Sequence, residues 1–193
     1  MSQLTPWQHY QQDLKREDFS HDAAQEQAVK SLQRVYDELL NLNKPTSGIT
    51  KLFSAVGIKS KPLPVKGLYL WGGVGRGKTY LMDTFYDALP GERKLRAHFH
   101  RFMHQIHHDL DGLKGVQDPL VSIAKKMAAQ YQVSCFDEFF VSDITDAMLL
   151  GTLFQELFKH GVALVATSNI IPDELYKNGL QRARFLPAIA LIN

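Results

Sequence analysis

Gly72-Gly73-Val74-Gly75-Arg76-Gly77-Lys78-Thr79 is the stretch that decides the fold of this chain. It matches the pattern G-x-x-x-x-G-K-[ST]. The apolar run Gly67-Leu68-Tyr69-Leu70-Trp71 precedes it, and Tyr80 to Leu89 follows with apolar residues at helical spacing. Strand, loop and helix in that order distinguish a phosphate-binding loop from a chance glycine-rich turn. Glycines let the backbone wrap an anion so that several N–H groups point inward. The helix that follows adds the positive end of its dipole. In such a loop Lys78 reaches the β- and γ-phosphates of a nucleotide, and the Thr79 hydroxyl is placed for Mg²⁺. Residues Gly72 to Thr79, with Tyr80 after them, are the candidate nucleotide-binding residues.

Downstream, strand and helix patterns alternate. Pro90-Gly91 marks a turn, and Lys94 to Phe99 alternates like a strand. Phe102 to Leu113 reads as a helix ended by Gly112 or Gly115, and Pro119 to Gln130 as another. Gln132 to Phe136 is an apolar strand running into Asp137-Glu138. Ile144 to Lys159 has helical spacing and Gly161 ends it. Val162 to Thr167 reads as a strand covered on both faces, as in a parallel sheet. The expected fold is therefore α/β, a doubly wound parallel sheet with flanking helices. Ligands of such sheets sit at the carboxyl ends of the strands. The phosphate loop, Asp137-Glu138 and Ser168-Asn169 all fall at such ends.

Those residues permit a defined chemistry. Asp137 is placed to hold Mg²⁺ directly or through water. Glu138 is placed to orient or deprotonate a water that attacks the γ-phosphate. Alone, an Asp-Glu pair is a solvated turn; after an apolar strand and downstream of a phosphate loop, the catalytic reading is favoured. Asn169 offers an amide that can hydrogen-bond the water or the γ-phosphate, whereas Ser168 reads as a polar loop residue. Arg182 and Arg184, in Gln181 to Pro187, are candidates for an arginine supplied to a neighbouring subunit's site.

Upstream, His21 to Leu42 has the spacing of an amphipathic helix, with Ser20 or Asp22 as its N-cap. Residues 43–66 carry Pro45, Gly48, Gly57, Pro62 and Pro64 and read as a connector. The expected division is a helical extension and connector over 1–66 and a nucleotide-binding core over 67–193. Gln25 opens the first long helix. Its amide could pair with the edge of adenine, and a solvated side chain beside a helix cap is an equal reading.

Composition narrows the class. The chain has 193 residues, 45% of them apolar and 22% charged, a globular balance. A net charge of +2 is too small to argue for nucleic acid or an anionic membrane. One cysteine, Cys135, excludes an internal disulfide and suits a reducing compartment. The N-terminus has no signal core and no apolar run is long enough to span a bilayer, so a cytoplasmic protein is expected, with peripheral membrane contact left open. His98, His100, His104, His107 and His108 cluster in sequence. A metal site there is imaginable, but packing or contact with a neighbour is the stronger reading.

The longer strings are more specific than the nucleotide motifs. His98 to Met103, Cys135 to Ile144, Thr167 to Asn169 and Asn178 to Pro187 resemble the AAA+ ATPases, and more closely the ZapE family of cell-division ATPases with its mitochondrial relatives. The resemblance runs over nearly the whole chain. It implies a Mg²⁺-dependent ATPase that associates with the division ring and weakens FtsZ polymers. It also implies homo-oligomers whose active sites are shared between subunits. On this chain it makes Lys78 and Thr79 Walker A, Asp137 and Glu138 Walker B, and Asn169 sensor one. It makes Arg184, directly before an aromatic residue, the preferred arginine finger and Arg182 the second choice. AAA+ modules continue into a further strand and a helical lid, and this chain stops at Asn193. The sheet is expected to lack that strand beside the one ending at Trp71, leaving an exposed edge. Weak or absent turnover is expected of the chain alone.

Other readings compete. A helicase-loader type of AAA+ protein would show a basic stripe with interleaved aromatics, and Lys59, Lys61 and Lys66 lie among prolines instead. A role in membrane-protein quality control is another alternative. A P-loop kinase is disfavoured by Glu138 beside Asp137 and by Asn169, which suit water as the acceptor. A nucleotide-gated interaction module without turnover is the non-enzymatic reading. The motifs do not decide ATP over GTP.

Overall fold

The computed structural model describes residues 4–42 and 64–193. Four parallel strands form one sheet: β1 (Leu68–Trp71), β2 (Lys94–His98), β3 (Val133–Asp137) and β4 (Ala163–Ser168), in the order β1-β4-β3-β2. Alternation within β3 and β4 sorts side chains to two faces. Val133 and Cys135 with Ala163 and Val165 face one way; Phe136 with Leu164 and Ala166 face the other. Both strands are buried throughout, as parallel strands covered on two sides must be.

Three helices cover the first face: α1 (Pro6–Asp13), α2 (Ala23–Leu42) and α3 (Lys78–Ala88). Val29, Leu32, Val35, Tyr36 and Leu39 make the buried stripe of α2, at the three- and four-residue spacing of a helix face. They share one core with Tyr10 of α1 and Leu81, Met82 and Phe85 of α3. Helices α1 and α2 thus pack directly on the sheet. Asp22 caps α2, accepting from the N–H groups of Ala24 at 2.8 Å and Gln25 at 3.4 Å, which decides between Ser20 and Asp22.

The other face carries α4 (Phe99–Gly112), α5 (Pro119–Gln130), α6 (Ile144–Lys159) and α7 (Leu186–Ile192). Short 3₁₀ turns at Pro172–Glu174 and Arg182–Arg184 lead into α7. Aromatic rings fill this core. Phe99 lies 4.2 Å from Phe139 and Phe102 lies 4.3 Å from Phe136, centroid to centroid.

One expectation needs correction and one element was not foreseen. Helix α4 starts at Phe99, not Phe102, directly after β2. The strand-like alternation up to Phe99 hid the helical set Phe99, Phe102, Met103 and Ile106, all buried. Helix α1 rests on a capping box. Thr5 Oγ1 accepts the Gln8 N–H at 3.3 Å, Gln8 Oε1 accepts the Thr5 N–H at 3.0 Å, and Pro6 opens the first turn. The connector expected over residues 43–66 lies outside the described residues except for 64–66. Strand β1 forms one edge of the sheet among the described residues. No helix of the described residues is long and apolar enough to cross a membrane.

Candidate nucleotide site

Parallel register brings the strand ends to one edge. Trp71 pairs with Ser168, and His98 with Asp137. Residues that follow these ends therefore meet although they lie far apart in sequence. Val74, Lys78, Thr79, Glu138, Thr167 and Asn169 line one cavity.

The phosphate loop makes the near wall. Gly75 and Gly77 have φ of 80° and 75°, in the left-handed region that side chains disfavour. A Cβ on Gly75 would meet nothing, whereas one on Gly77 would stand 2.8 Å from Gln25 Nε2. Lys78 Nζ folds over the loop and donates to the carbonyls of Gly72 at 2.6 Å and Gly73 at 2.7 Å. Partial burial lowers the pKa of Lys78. These two carbonyls are weaker partners than phosphate oxygens, so the ammonium is primed to exchange them for an anion.

Asp137 is the last residue of β3 and is almost wholly buried. Both its oxygens have partners. Arg96 Nε donates to Oδ2 at 2.7 Å, and the Thr167 hydroxyl donates to Oδ1 at 3.4 Å. Thr167 Oγ1 in turn accepts the Glu138 N–H at 3.3 Å. The Thr79 hydroxyl and the Asp137 carboxylate are hard oxygen ligands of the kind Mg²⁺ takes, and so fit that ion.

Glu138 turns out of the strand into the left-handed region with φ 53°. Its side chain is 85% exposed and borders the cavity, with Oε2 3.9 Å from His98 Nδ1. A non-glycine residue in that conformation stores strain of the kind found at functional sites. Ser168 is buried, donates to the Phe139 carbonyl at 2.7 Å and accepts the Ile170 N–H, so it fastens the loop. The next residue, Asn169, is exposed and lines the cavity.

Other candidates lie around this centre. Gln25 Nε2 donates to the Arg76 carbonyl at 3.3 Å, while its Oε1 is buried with no hydrogen-bond partner among the described residues. The Arg76 guanidinium pairs with Asp22 at 3.1 Å. The start of α2 is thus fastened to the phosphate loop. The Tyr80 side chain points to α1, donating to Asp13 Oδ2 at 2.5 Å and packing on Phe19; burial raises its pKa. Arg182 is spent within the chain, donating to the Asp173 carbonyl at 2.6 Å. Arg184 is exposed, and its guanidinium has no ion pair or hydrogen bond among the described residues. Neither arginine lines the cavity. Of the histidines, His107 meets Asp146 at 2.6 Å.

Sequence reasoning missed Arg96, Thr167 as a bridge, and Asp83, which pairs with Arg96 at 2.7 Å. None belongs to a phosphate-loop pattern. The alternation of β2 and β3 was the available signal for Arg96, since it places Arg96 and Asp137 on one face.

A model of the family described as AFG1-like ATPase matches residues 4–193. The chain belongs to that family. Among relatives of this AFG1-like chain, the cell division protein ZapE of Escherichia coli K12 is 54% identical over 198 residues, covering 100% of this chain and 53% of ZapE. Lactation elevated protein 1 homolog B of Danio rerio is 48% identical over 144 residues, covering 69% of this chain and 29% of that protein. The AFG1-like chain spans about half the length of ZapE and 29% of the Danio rerio protein. AMPPCP-bound DnaA from Aquifex aeolicus superposes with a TM-score of 0.58 at 15% identity, covering 89% of this chain and 46% of DnaA. That likeness shows the fold alone, and it is the AAA+ P-loop fold.

Proposed function

We propose that this protein is a Mg²⁺-dependent ATPase that acts in cell division by weakening FtsZ polymers. The observation that carries the ATPase reading is the shared cavity. Val74 to Thr79, Glu138 and Asn169 line it together, and Asp137 is joined to its wall through Thr167. Loop N–H groups and Lys78 bind the phosphates. Thr79 and Asp137 are the residues that would hold Mg²⁺, which would supply positive charge to offset that of phosphoryl transfer. Glu138 receives the proton of the attacking water, and Asn169 orients that water or senses the γ-phosphate. The exposed carboxylate of Glu138 is free to take this part because its backbone, not its side chain, is held by Thr167. Gln25, fastened to the phosphate loop through the Arg76 carbonyl, is the residue proposed to read the adenine edge.

Arg184 completes the site of a neighbouring copy in a homo-oligomer. Among the described residues its guanidinium has no partner, which supports this over Arg182, tied to Asp173. The cell-division role rests on the ZapE relationship. The test is ATP turnover by the full-length protein, unmodified and as Glu138→Gln, with and without FtsZ polymers. Turnover lost in the variant with nucleotide binding kept supports Glu138 as the base. Polymers shortened only by hydrolysing protein support the division role; polymers unaffected by active protein refute it.

A further inference from the structure

We infer that Arg96 is a positioning residue that sets the spacing between Thr79 and Asp137, the two candidate ligands of the divalent cation. The inference rests on the Mg²⁺–ATP reading above. Arg96 stands in mid-strand in β2, paired with Cys135, two residues before Asp137. Its guanidinium is a fork that meets two carboxylates. Nε donates to Asp137 Oδ2 and Nη2 to Asp83 Oδ1, both at 2.7 Å. Asp83 lies four residues after Thr79 in α3, one turn along the same helix face. Arg96 therefore ties the first turns of α3, which carry Thr79, to the end of β3, which carries Asp137.

The geometry suits positioning rather than general packing. Arg96 and Asp137 side chains are 20% and 10% exposed, so the contact is shielded from solvent. Nη1 is buried and has no hydrogen-bond partner among the described residues, so none of them competes through it to orient the guanidinium. With Oδ2 taken by Arg96, and Oδ1 hydrogen-bonded among the described residues only by Thr167 at 3.4 Å, Oδ1 is the oxygen left to face the cation or its water. A planar guanidinium can hold two carboxylates in fixed directions; an ammonium is a point charge and cannot. Two carboxylates against one guanidinium still leave a net negative charge, so the cluster attracts a cation.

This separates two effects of opposite sign. If Arg96 acted only through its charge, removing it would strengthen Mg²⁺ binding. If it positions Asp137, removing it weakens Mg²⁺ binding. The experiment measures the affinity of a fluorescent ATP analogue in Mg²⁺ and in EDTA, for the protein, Arg96→Met, Arg96→Lys and Asp83→Asn, with thermal unfolding alongside. The expected result is a Mg²⁺-to-EDTA affinity ratio reduced about tenfold in Arg96→Met, as loss of a ligand's supporting partner does. Arg96→Lys does not restore it, Asp83→Asn reduces it by a smaller factor, and affinity in EDTA is unchanged throughout. A ratio that is unchanged or higher in Arg96→Met overturns the inference, even if the melting temperature falls. Should Arg96→Met not fold, Asp83→Asn decides, because Asp83 is 56% exposed and can be changed without unburying Arg96; an unchanged ratio there overturns the inference. An unmodified protein that shows no Mg²⁺ enhancement overturns the metal-site reading itself, which the variants alone cannot do.

Discussion

The Thr167 hydroxyl, at the end of β4, donates to Asp137 Oδ1 at 3.4 Å and so links the two central strands at the edge where the candidate site forms. The same oxygen accepts the Glu138 N–H at 3.3 Å. Thr167 and Asp137 are both nearly inaccessible to solvent. Thr167→Val keeps the shape and removes both bonds, leaving a buried carboxylate oxygen and an N–H unsatisfied. We expect a loss of about 1–3 kcal/mol in urea unfolding, and a much smaller loss for Thr167→Ser, which keeps the hydroxyl. Equal losses in the two variants would assign the effect to the methyl group instead.

Glu138 occupies the left-handed region with its side chain exposed, a combination with no visible benefit to folding. Asparagine tolerates that conformation better than glutamate. Glu138→Asn is expected to raise stability by about 0.5–1 kcal/mol while ending ATP turnover, a trade of stability against activity. The check is urea unfolding together with single-turnover hydrolysis. A variant that is less stable than the parent would show that the backbone at 138 is unstrained.

Much of this was legible in the residues. The glycines and Lys78-Thr79 announced the phosphate loop, and α5 and α6 begin and end where Pro119, Gln130, Ile144 and Lys159 said they would. Local signals account for that success, because caps, breakers and helical spacing act within a few residues. Helix α1 was readable by the same means, from Thr5-Pro6 and Gln8, but buries only Pro6 and Tyr10 and so has little apolar pattern. What could not be read is long-range. The Arg96–Asp137 contact joins residues 41 apart, and the turn of Glu138 depends on Thr167, 29 residues on. Such pairings follow from strand order, which periodicity does not encode.

Asp22 joins the N-terminal helices to the phosphate loop, capping α2 and pairing with Arg76. Its pKa is lowered below 3.8, first by the Ala24 N–H bond and then by Gln25 and the charge of Arg76. A carboxyl with a depressed folded pKa contributes stability above its unfolded value and loses it as pH falls through the folded one. The stability gap between the protein and Asp22→Ala is therefore expected to be full at neutral pH and to shrink below pH 3.8. Urea unfolding across that range measures it; a gap that widens on acidification would contradict the assignment.

Arg184 and Phe185 divide their work sharply: the ring is fully buried against Tyr176, and Arg184 beside it is exposed, its guanidinium without a partner among the described residues. A buried aromatic that anchors the turn holds the arginine outward at little entropic cost. If that arginine serves a neighbour's site, Arg184→Ala should cut turnover by about 10³-fold or more while leaving nucleotide affinity and stability unchanged. Arg182→Ala should instead lower stability by about 1 kcal/mol, through loss of the bond to the Asp173 carbonyl. The deciding measurement mixes Arg184→Ala with Glu138→Gln. Each is inactive alone, but a mixed assembly contains sites where an intact Glu138 meets an intact Arg184 from the adjacent subunit. Turnover that reappears on mixing requires the arginine to act between chains, whereas two inactive proteins that stay inactive together would place Arg184 outside the reaction.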